Sequence, residues 1–441
     1  NIVQSNLIAH NTGDGVSVVS YPFNTIRRNS IHSNGGKGIA LTNGGNKQLA
    51  RPVISSVTIN TVVGTAAPGT TIEVFSDNAG QGRLYEGSTT TSPSGLFTLT
   101  KASGLTGRRI TATATDRDGN TSEFSAPVTL FYETHVVSST LDSGPGTLRQ
   151  ALQKAGPGDT ITFDPSVFPT MRPATITLTD PLPSLAQGDL TADASNAGVI
   201  LNGSGTPAGT SGLVIVSNGN VVRGLQILRF PGDGVQIRNG AQRNVVGGDR
   251  SRGSGPMGEG NLISGNGGNG IWIQGTGTMR NTVIGNYIGT DIQGAVALGN
   301  GMGVVINGGA QQNIVGGTTT GKRNVVSGNT MDGVWIGENG TDDNVVIGNY
   351  IGINAGGTGS LGNKVMGITL CMAAQRNRIG GTLTGERNVI SGNGGTGIII
   401  WGAGTDNNIV IGNYIGTDLN GAAAVGNASG VVLLVNPPEQ R

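Results

Sequence analysis

The sequence has little charge, few aromatic residues and almost no cysteine. Charged residues occupy 12% of the 441 positions, aromatic residues occupy 4%, and Cys371 is the only cysteine. A single cysteine excludes an intrachain disulfide framework and is compatible with a bacterial exported protein. No stretch approaches the roughly 20 consecutive apolar residues that a membrane-spanning helix needs, so we expect no membrane span in this segment.

The few charges nearly cancel, because the formal net charge is +1. A near-neutral chain without clusters of lysine and arginine gives no electrostatic footprint for nucleic acid or for an anionic membrane surface. Glycine, in contrast, reaches 79 of 441 residues, far above the usual proportion of about 7%. The composition therefore favours an ordered chain that is rich in β-strands and turns.

Internal repeats dominate the second half of the sequence. The phrase Asn261-Leu-Ile-Ser-Gly-Asn266 recurs, with one conservative change or two, from Asn324 and from Asn388, which gives steps of 63 and 64 residues. A second phrase, Gly-Asn-Tyr-Ile-Gly, keeps the same step. Each long period also contains two copies of a glycine followed by mostly apolar residues. These copies begin at Gly270, Gly303, Gly333, Gly367, Gly397 and Gly430.

Each shorter step of 30 to 34 residues has room for three short strands and a loop. The apolar segments are rich in valine and isoleucine and are separated by glycine-containing turns, a pattern typical of strands. A repeat of this length predicts a solenoid in which equivalent strands of successive coils pair in parallel. The fold class that we predict is all-β, a right-handed parallel β-helix, with Ile271, Val304 and Val334 in one interior column.

Asparagines recur at fixed places in this repeat. They can form hydrogen-bonded ladders through the stacked coils, which would satisfy their buried amides. They can also adopt left-handed turn geometry, which asparagine tolerates. Both interpretations are structural. The two candidate columns are Asn266, Asn329 and Asn393, and Asn286, Asn349 and Asn413.

The remaining sequence predicts three segments. Residues 1–49 read as C-terminal coils of a β-helix, and residues 50–130 show the regular strand spacing of a small β-sandwich. Residues 131–441 form the main β-helix, with a helix at 147–155 that covers its open end. Joining Arg441 to Asn1 closely reproduces an internal run of the repeat. We therefore expect that the 441 residues are one period of a tandem or head-to-tail array.

These motifs resemble a known family. The repeated phrases, and the run Ser143-Gly-Pro-Gly-Thr-Leu-Arg-Gln150, resemble large bacterial β-helix surface proteins. Those are similar to the pectate-lyase-like superfamily and to autotransporter and polymorphic outer-membrane repeats. Residues 56–127 resemble bacterial Ig-like repeats of adhesins. The resemblance implies export and a surface or extracellular location, but it fixes no ligand because this fold carries lyases, hydrolases and scaffolds.

Strand alternation places a largely apolar stripe on the outside of one sheet. Such a patch marks an interface or a ligand platform. Three explanations stay open: the inserted loops, for example 287–300, fold over it, a neighbouring copy packs on it, or a polysaccharide stacks on its tryptophans. The residues of the stripe are Trp272, Val305, Trp335, Thr369, Ile399, Trp401 and Val432.

Catalytic machinery is not recognisable in the sequence. Half of the scarce carboxylates beyond residue 260 lie in turns, and His10, His32 and His135 lack the spacing of metal ligands. One run, Asp116, Asp118, Asn120 and Glu123, has the oxygen-ligand spacing of a calcium site, but we favour an ordinary hairpin turn of the sandwich. We therefore expect no cofactor, and calcium at this run is the one alternative.

The sequence predicts an extracellular structural repeat protein that forms a surface fibre, stalk or adhesin and is not an enzyme. Its expected partners are copies of itself and cell-surface polysaccharide. The alternative is a polysaccharide-binding or polysaccharide-degrading β-helix protein, a lyase or hydrolase.

Overall fold

The computed structural model describes residues 1–77, 80–102, 104–130 and 132–434. Residue 131, where the predicted main β-helix begins, and residues 435–441, where it ends, lie outside the described residues. The predicted join of Arg441 to Asn1 therefore also lies outside them. The chain divides into two compact units, Asn1–Phe131 and Tyr132–Arg441. Within the described residues no helix is long and apolar enough to cross a membrane.

The first unit opens with two coils of parallel β-helix, in which β1, β2 and β3 pair with β4, β5 and β6. An antiparallel sandwich follows. Its sheets have the strand orders β10-β9-β12-β13 and β11-β8-β7. The strands are β1 Ile2–Gln4, β2 Leu7–Ala9, β3 Val16–Val19, β4 Thr25–Arg27, β5 Ser30–His32, β6 Ile39–Thr42, β7 Val53–Val57, β8 Thr61–Thr65, β9 Thr71–Asp77, β10 Leu84–Thr90, β11 Leu96–Thr100, β12 Arg109–Thr115 and β13 Val128–Thr129.

The four-stranded sheet of the sandwich is buried on both faces. Ile72 and Ile110 face the sandwich core, whereas Phe75 packs with Phe124 against Ile31 of the second coil. The carboxylate of Glu73 accepts a hydrogen bond from the Arg28 amide of that coil, and Gly82 accepts one from the Ile31 amide. The sandwich therefore covers the end of the two coils, which removes an exposed apolar interior and unpaired strand edges.

The second unit is a right-handed parallel β-helix of three sheets. The α-helix of its described residues, α1, Leu148–Lys154, lies within the predicted range 147–155 and contacts β14. The Thr147 side chain caps it by accepting a hydrogen bond from the Gln150 amide. Leu148, Ala151 and Leu152 are buried in the core of the β-helix, so the helix packs on the first coil of the unit.

Three long sheets run through the coils. We call them the first, second and third sheets. The first sheet contains β14 Thr134–Val137, β15 Thr160–Phe163, β17 Thr191–Asp193, β20 Val221–Arg223, β23 Val245–Gly247, β26 Thr282–Ile284, β29 Ile314–Val315, β32 Val345–Val346, β35 Arg378–Gly380 and β38 Ile409–Ile411. The second contains β16 Ala174–Thr177, β18 Val199–Asn202, β21 Leu225–Leu228, β24 Leu262–Ser264, β27 Tyr287–Ile288, β30 Val325–Val326, β33 Tyr350–Ile351, β36 Val389–Ile390 and β39 Tyr414–Ile415. The third contains β19 Leu213–Ile215, β22 Val235–Ile237, β25 Ile271–Gln274, β28 Val304–Asn307, β31 Val334–Gly337, β34 Ile368–Cys371, β37 Thr396–Trp401 and β40 Ser429–Leu434. Short 3-10 turns lie at Gly45–Gln48, Thr320–Lys322 and Thr384–Glu386.

The interior is a set of stacked apolar columns. Ile271, Val304 and Val334 are paired in successive coils and are fully buried, which confirms the predicted column. Burying each such side chain contributes about 1.5–3 kcal/mol. The repeat of 63 or 64 residues spans two coils because insertions alternate: one coil carries its long loop between the second and third sheets, and the next carries it between the first and second.

Candidate functional site

The inserted loops cover the second sheet. Tyr287, Tyr350 and Tyr414 project outward from it, and the guanidinium groups of Arg250, Arg323 and Arg387 lie 4.6, 4.1 and 4.0 Å from their ring centroids. Ile353 and Val425 of the insertions complete an apolar cluster with Tyr350. These loops therefore pack on the tyrosine-bearing second sheet. They do not fold over the tryptophan stripe, which was the first of the three explanations.

The tryptophan stripe lies on the third sheet. Strand pairing puts six predicted members in one outward column, whereas Trp401 belongs to the neighbouring column, in register with Cys371. Trp272 and Trp335 are partly buried, and Val305 between them is buried. We call this surface the tryptophan face. Its first column runs Val214, Gln236, Trp272, Val305, Trp335, Thr369, Ile399 and Val432.

Trp335 lies flat on the tryptophan face. Its six-membered ring covers Gly337, two residues further along the same strand, so closely that a β-carbon at position 337 would overlap the ring. Glycine is therefore required at this position for the close approach of the indole. One face of the ring rests on the sheet, and the other is directed away from it.

A series of hydrogen bonds holds the Trp272 indole. Trp272 Nε1 donates a hydrogen bond to Asn307 Oδ1 in the next coil, over 2.8 Å. Asn307 Nδ2 in turn donates to Glu338 Oε1 at 3.2 Å, and Glu338 Oε2 accepts from the Gly308 amide at 3.1 Å. This series of hydrogen bonds links three successive coils and fixes the orientation of the Trp272 ring.

Carboxylates border the tryptophan face, and the eight described strands of the third sheet contain no charged residue. Asp233 Oδ2 accepts from Gln236 Nε2 at 2.7 Å, and Asp332 Oδ2 accepts from Thr369 Oγ1 at 2.7 Å. The other oxygen of each accepts a backbone amide hydrogen bond from the following coil. The strands of the face are therefore neutral, and its border carries these carboxylates and, directly after β22, the half-buried Arg238.

Cys371 lies in the second outward column of the same sheet and is fully buried. Burial, with the charges of Asp332 and Glu338 nearby, raises the pKa of its thiol to about 12. A thiol in this state is a weak nucleophile, because the thiolate is the reactive form.

The carboxylates of the insertions cap their own loops. Asp291 Oδ1 accepts the amides of Ala295 and Val296, and Asn354 occupies the same role in the next insertion. Asp418 Oδ1 accepts a hydrogen bond from the Ala422 amide in the same way. This bond, with those from other amides of the loop, lowers the pKa of the Asp418 carboxyl. These side chains stabilise turns, as their spacing indicates.

All six asparagines of the predicted columns lie in buried or partly buried ladders. In each ladder the Nδ2 group of one asparagine donates to Oδ1 of the asparagine in the next coil. In nearly every pair the backbone amide of the first asparagine donates to the same Oδ1 atom. From Asn300 to Asn329 the two distances are 3.1 Å for Nδ2 and 3.2 Å for the backbone amide. The intermediate members and one whole ladder are not among the asparagines predicted from the sequence. The ladders are Asn266-Asn300-Asn329-Asn363-Asn393-Asn427, Asn261-Asn286-Asn324-Asn349-Asn388-Asn413 and Asn220-Asn244-Asn281-Asn313-Asn344-Asn377-Asn408.

The four residues of the predicted calcium run have separate partners in the first unit. Asp116 accepts from the backbone and the side chain of Asn120, and Asn120 Oδ1 accepts the Phe23 amide. Asp118 pairs with Lys47 at 2.8 Å, and Glu123 pairs with Lys37 at 2.7 Å. Burial raises the pKa of Glu123, but the bonds from Lys37 and from the Leu41 amide outweigh burial and leave the pKa low.

The histidines occupy two places. His10 and His32 lie in successive coils, with ring centroids 5.9 Å apart. His135 Nε2 is 2.9 Å from Asp159 Oδ2, and one ligand atom from each of Glu133, His135 and Asp159 lies within 4.8 Å of the others. This trio has no signal in the sequence, because its members are brought together by the stacking of β14 on β15 of the next coil.

Comparison with known proteins bears on the fold. Residues 1–91 match the family described as right handed beta helix region. No curated protein matches the chain. The match covers the two coils and part of the sandwich of the first unit.

Several solved structures are similar to the chain. Pectate lyase Pel9A is 15% identical, with a TM-score of 0.42, over 69% of this chain and 77% of that chain. The periplasmic alginate epimerase AlgG is 14% identical, with a TM-score of 0.28, over 68% and 54%. The A-module of the Azotobacter vinelandii mannuronan C-5 epimerase AlgE6 is 14% identical, with a TM-score of 0.29, over 70% and 100%. At these identities the likeness concerns the fold.

Proposed function

We propose that the chain is an extracellular polysaccharide-binding protein, and that the tryptophan face is its binding surface. The observation that carries this proposal is the flat Trp335 ring over Gly337. An indole held flat on a sheet offers its free face to the apolar face of a sugar ring, and it loses little conformational freedom when it binds.

The spacing of the two indoles suits a chain-like ligand. Trp272 and Trp335 are separated by the one strand that carries Val305. Two strand steps correspond to about 9–10 Å along the sheet, a distance comparable to the length of a disaccharide. A polysaccharide that runs parallel to the stacking direction of the coils would meet both rings, with Asn307 and Glu338 beside it as hydrogen-bonding groups.

The charge of the face favours a neutral polysaccharide. Asp233, Asp332 and Glu338 border it. Carboxylates accept hydrogen bonds from sugar hydroxyls, but they repel the carboxylates of a polyuronate. The described strands of the third sheet contain neither lysine nor arginine, and Arg238, directly after β22, offsets this repulsion only in part.

Binding without cleavage suits the observed roles of these acids. Glycoside hydrolysis uses two carboxylates that flank the scissile bond. Here both oxygens of Asp233 and of Asp332 already accept hydrogen bonds, and all of these except the one from Gln236 join successive coils. Their function in this arrangement is to hold the border of the face.

The test is co-sedimentation with insoluble neutral and acidic polysaccharides, together with an assay for released sugars. The wild type should bind neutral polysaccharide without releasing sugars, and Trp335→Ala should bind at least tenfold more weakly. Leu383→Ala, a change at a residue exposed elsewhere on the surface, is the matched control. Equal binding by Trp335→Ala and the wild type, or no binding by the wild type, would refute the proposal.

A structural role as a fibre or stalk is the second candidate function. It is favoured by hydrogen-bonding groups of the coils of residues 1–19 and 408–434 that have no partner among the described residues.

A further inference from the structure

The asparagine ladders have a direction. Each interior asparagine accepts at Oδ1 from the coil before it, and it donates through Nδ2 and usually its backbone amide to Oδ1 of the coil after it. Asn388, for example, donates both groups to Asn413 Oδ1, over 3.2 and 2.9 Å, and its second Nδ2 hydrogen goes to the Val346 carbonyl. A ladder therefore presents donors at one end and acceptors at the other.

The coil of residues 408–434 carries the donor ends. Asn408, Asn413 and Asn427 each accept from the preceding ladder member and give one Nδ2 hydrogen to a backbone carbonyl. Among the described residues, their backbone amides and their second Nδ2 hydrogens meet no acceptor. Three pairs of donors are thus directed toward the position of a following coil.

The coil of residues 1–19 carries the acceptor ends. Asn6 donates its backbone amide and Nδ2 to Asn29 Oδ1 at 2.9 and 3.0 Å, and Asn11 donates to Asn34 Oδ1 at 3.1 and 2.8 Å. Asn1 Nδ2 donates to Asn24 Oδ1. The Oδ1 atoms of Asn1, Asn6 and Asn11 accept from no described residue.

The two coils also match in strand placement. Asn408 and Asn413 directly precede β38 and β39, and Asn1 and Asn6 directly precede β1 and β2. A glycine precedes the inward apolar residues of the third strand in each coil, Gly430 before Val431 and Gly15 before Val16. Stacking in ladder register would therefore align the strand edges of all three sheets.

Apolar surface is exposed at both coils. Val431 and Leu433 are 46% and 71% exposed, although Ile398, which pairs with Val431 one coil earlier, is fully buried. On the other coil Val3, Ile8 and Val16 are only partly buried. Stacking the coils would remove this surface from water, as it does at every interior coil.

We propose that the coil of residues 408–434 binds the coil of residues 1–19 of a second copy of this chain, in ladder register. The contact joins two different surfaces, so each added copy presents the same pair of surfaces again. The same junction would form whether the two copies lie in one polypeptide or in two, and the intact mass of native material separates these cases.

Two blocking variants test the junction. Leu433→Lys places an amine at the inward position of the donor coil, and Ile8→Lys places one at the inward position of the acceptor coil. In the separate chain the long side chain can reach water, but in the junction it would be an unpaired buried charge. Leu383→Lys, at a residue 66% exposed elsewhere on the second unit, is the matched control, and circular dichroism checks that each variant is folded.

Light scattering after size-exclusion chromatography gives the result. The wild type and Leu383→Lys should form assemblies that grow with concentration, and each blocking variant alone should be monomeric. An equimolar mixture of Leu433→Lys and Ile8→Lys should stop at two chains, because each variant keeps one intact surface. A monomeric wild type, assembly of either blocking variant alone, or a mixture that stays monomeric or grows beyond two chains would overturn the proposal.

Discussion

At the residue scale, the buried asparagines carry much of the specificity of the stacking. Asn329 is fully buried, accepts at Oδ1 from Asn300 and donates to Asn363. A buried amide that loses its partner retains its desolvation penalty. A substitution in a ladder therefore leaves unpaired groups in the coils on both sides.

Asn329→Ala should lower the free energy of unfolding of the second unit by about 1–3 kcal/mol, since it orphans groups on Asn300 and Asn363. Denaturant unfolding measures the change. Asn339→Ala, at an exposed asparagine of the same coil, should change stability by less than about 0.5 kcal/mol. Equal losses for the two variants would contradict the role of the ladder.

Gly337→Ala should weaken neutral polysaccharide binding about tenfold, because the new β-carbon lifts the Trp335 ring from the sheet. Titration of the variant against the same ligand measures the loss. The fluorescence spectrum of Trp335, recorded with Trp272 and Trp401 replaced by phenylalanine, should shift as the ring moves. Unchanged affinity together with a shifted spectrum would show that binding does not depend on the position of the Trp335 ring.

Cys371 should react slowly with alkylating reagents at pH 8, because its thiol, with a pKa of about 12, is almost entirely protonated there. The rate should increase as the pH rises toward that pKa, since the thiolate fraction increases. Mass spectrometry of the folded chain measures the rate, with the urea-unfolded chain as the control. Equally fast reaction of folded and unfolded chains at pH 8 would contradict this burial.

At the element scale, the sandwich and the two coils of the first unit share one core. Phe75 belongs to the sandwich and packs with Phe124 against Ile26 and Ile31 of the coils. The regular spacing of strand signals in residues 50–130 predicts the sandwich. Its role in covering the coils could not be predicted, because Phe75 and Glu73 lie on a strand that is buried on both faces and lacks alternation.

Phe75→Ala should destabilise the first unit by about 3–5 kcal/mol, as large-to-small changes in a core do. The coils and the sandwich should lose structure together in hydrogen-exchange measurements. Leu96→Ala, at an exposed residue of the sandwich, serves as the control. Loss of protection in the sandwich alone would show that the two parts do not share a core.

Chelation should leave the melting temperature of the first unit unchanged, because Asp118 and Glu123 are paired with lysines and Asp116 and Asn120 with amides. Calorimetry with calcium and with EDTA measures this. A rise in melting temperature with calcium that Asp118→Ala abolishes would instead establish the metal site.

At the scale of the whole molecule, periodicity predicted the solenoid and its outward tryptophan column. Three features cannot be predicted from the periodicity. The intermediate ladder members Asn300 and Asn363 end long insertions in a different repeated phrase, Leu-Gly-Asn, so the phrase around Asn329 does not indicate that they join its ladder. The packing of those insertions on the tyrosine-bearing sheet depends on the folded path of the loops. The flat position of Trp335 depends on Gly337, and a glycine in so glycine-rich a chain gives no signal by itself.

The most direct measurement compares one soluble neutral oligosaccharide with the same oligosaccharide oxidised to uronic acids, by isothermal titration. The wild type should bind the neutral form and bind the oxidised form at least tenfold more weakly, and Trp335→Ala should lose the neutral form. Tighter binding of the oxidised form, or binding that is indifferent to Trp335, would contradict a neutral polysaccharide stacked on the tryptophan face.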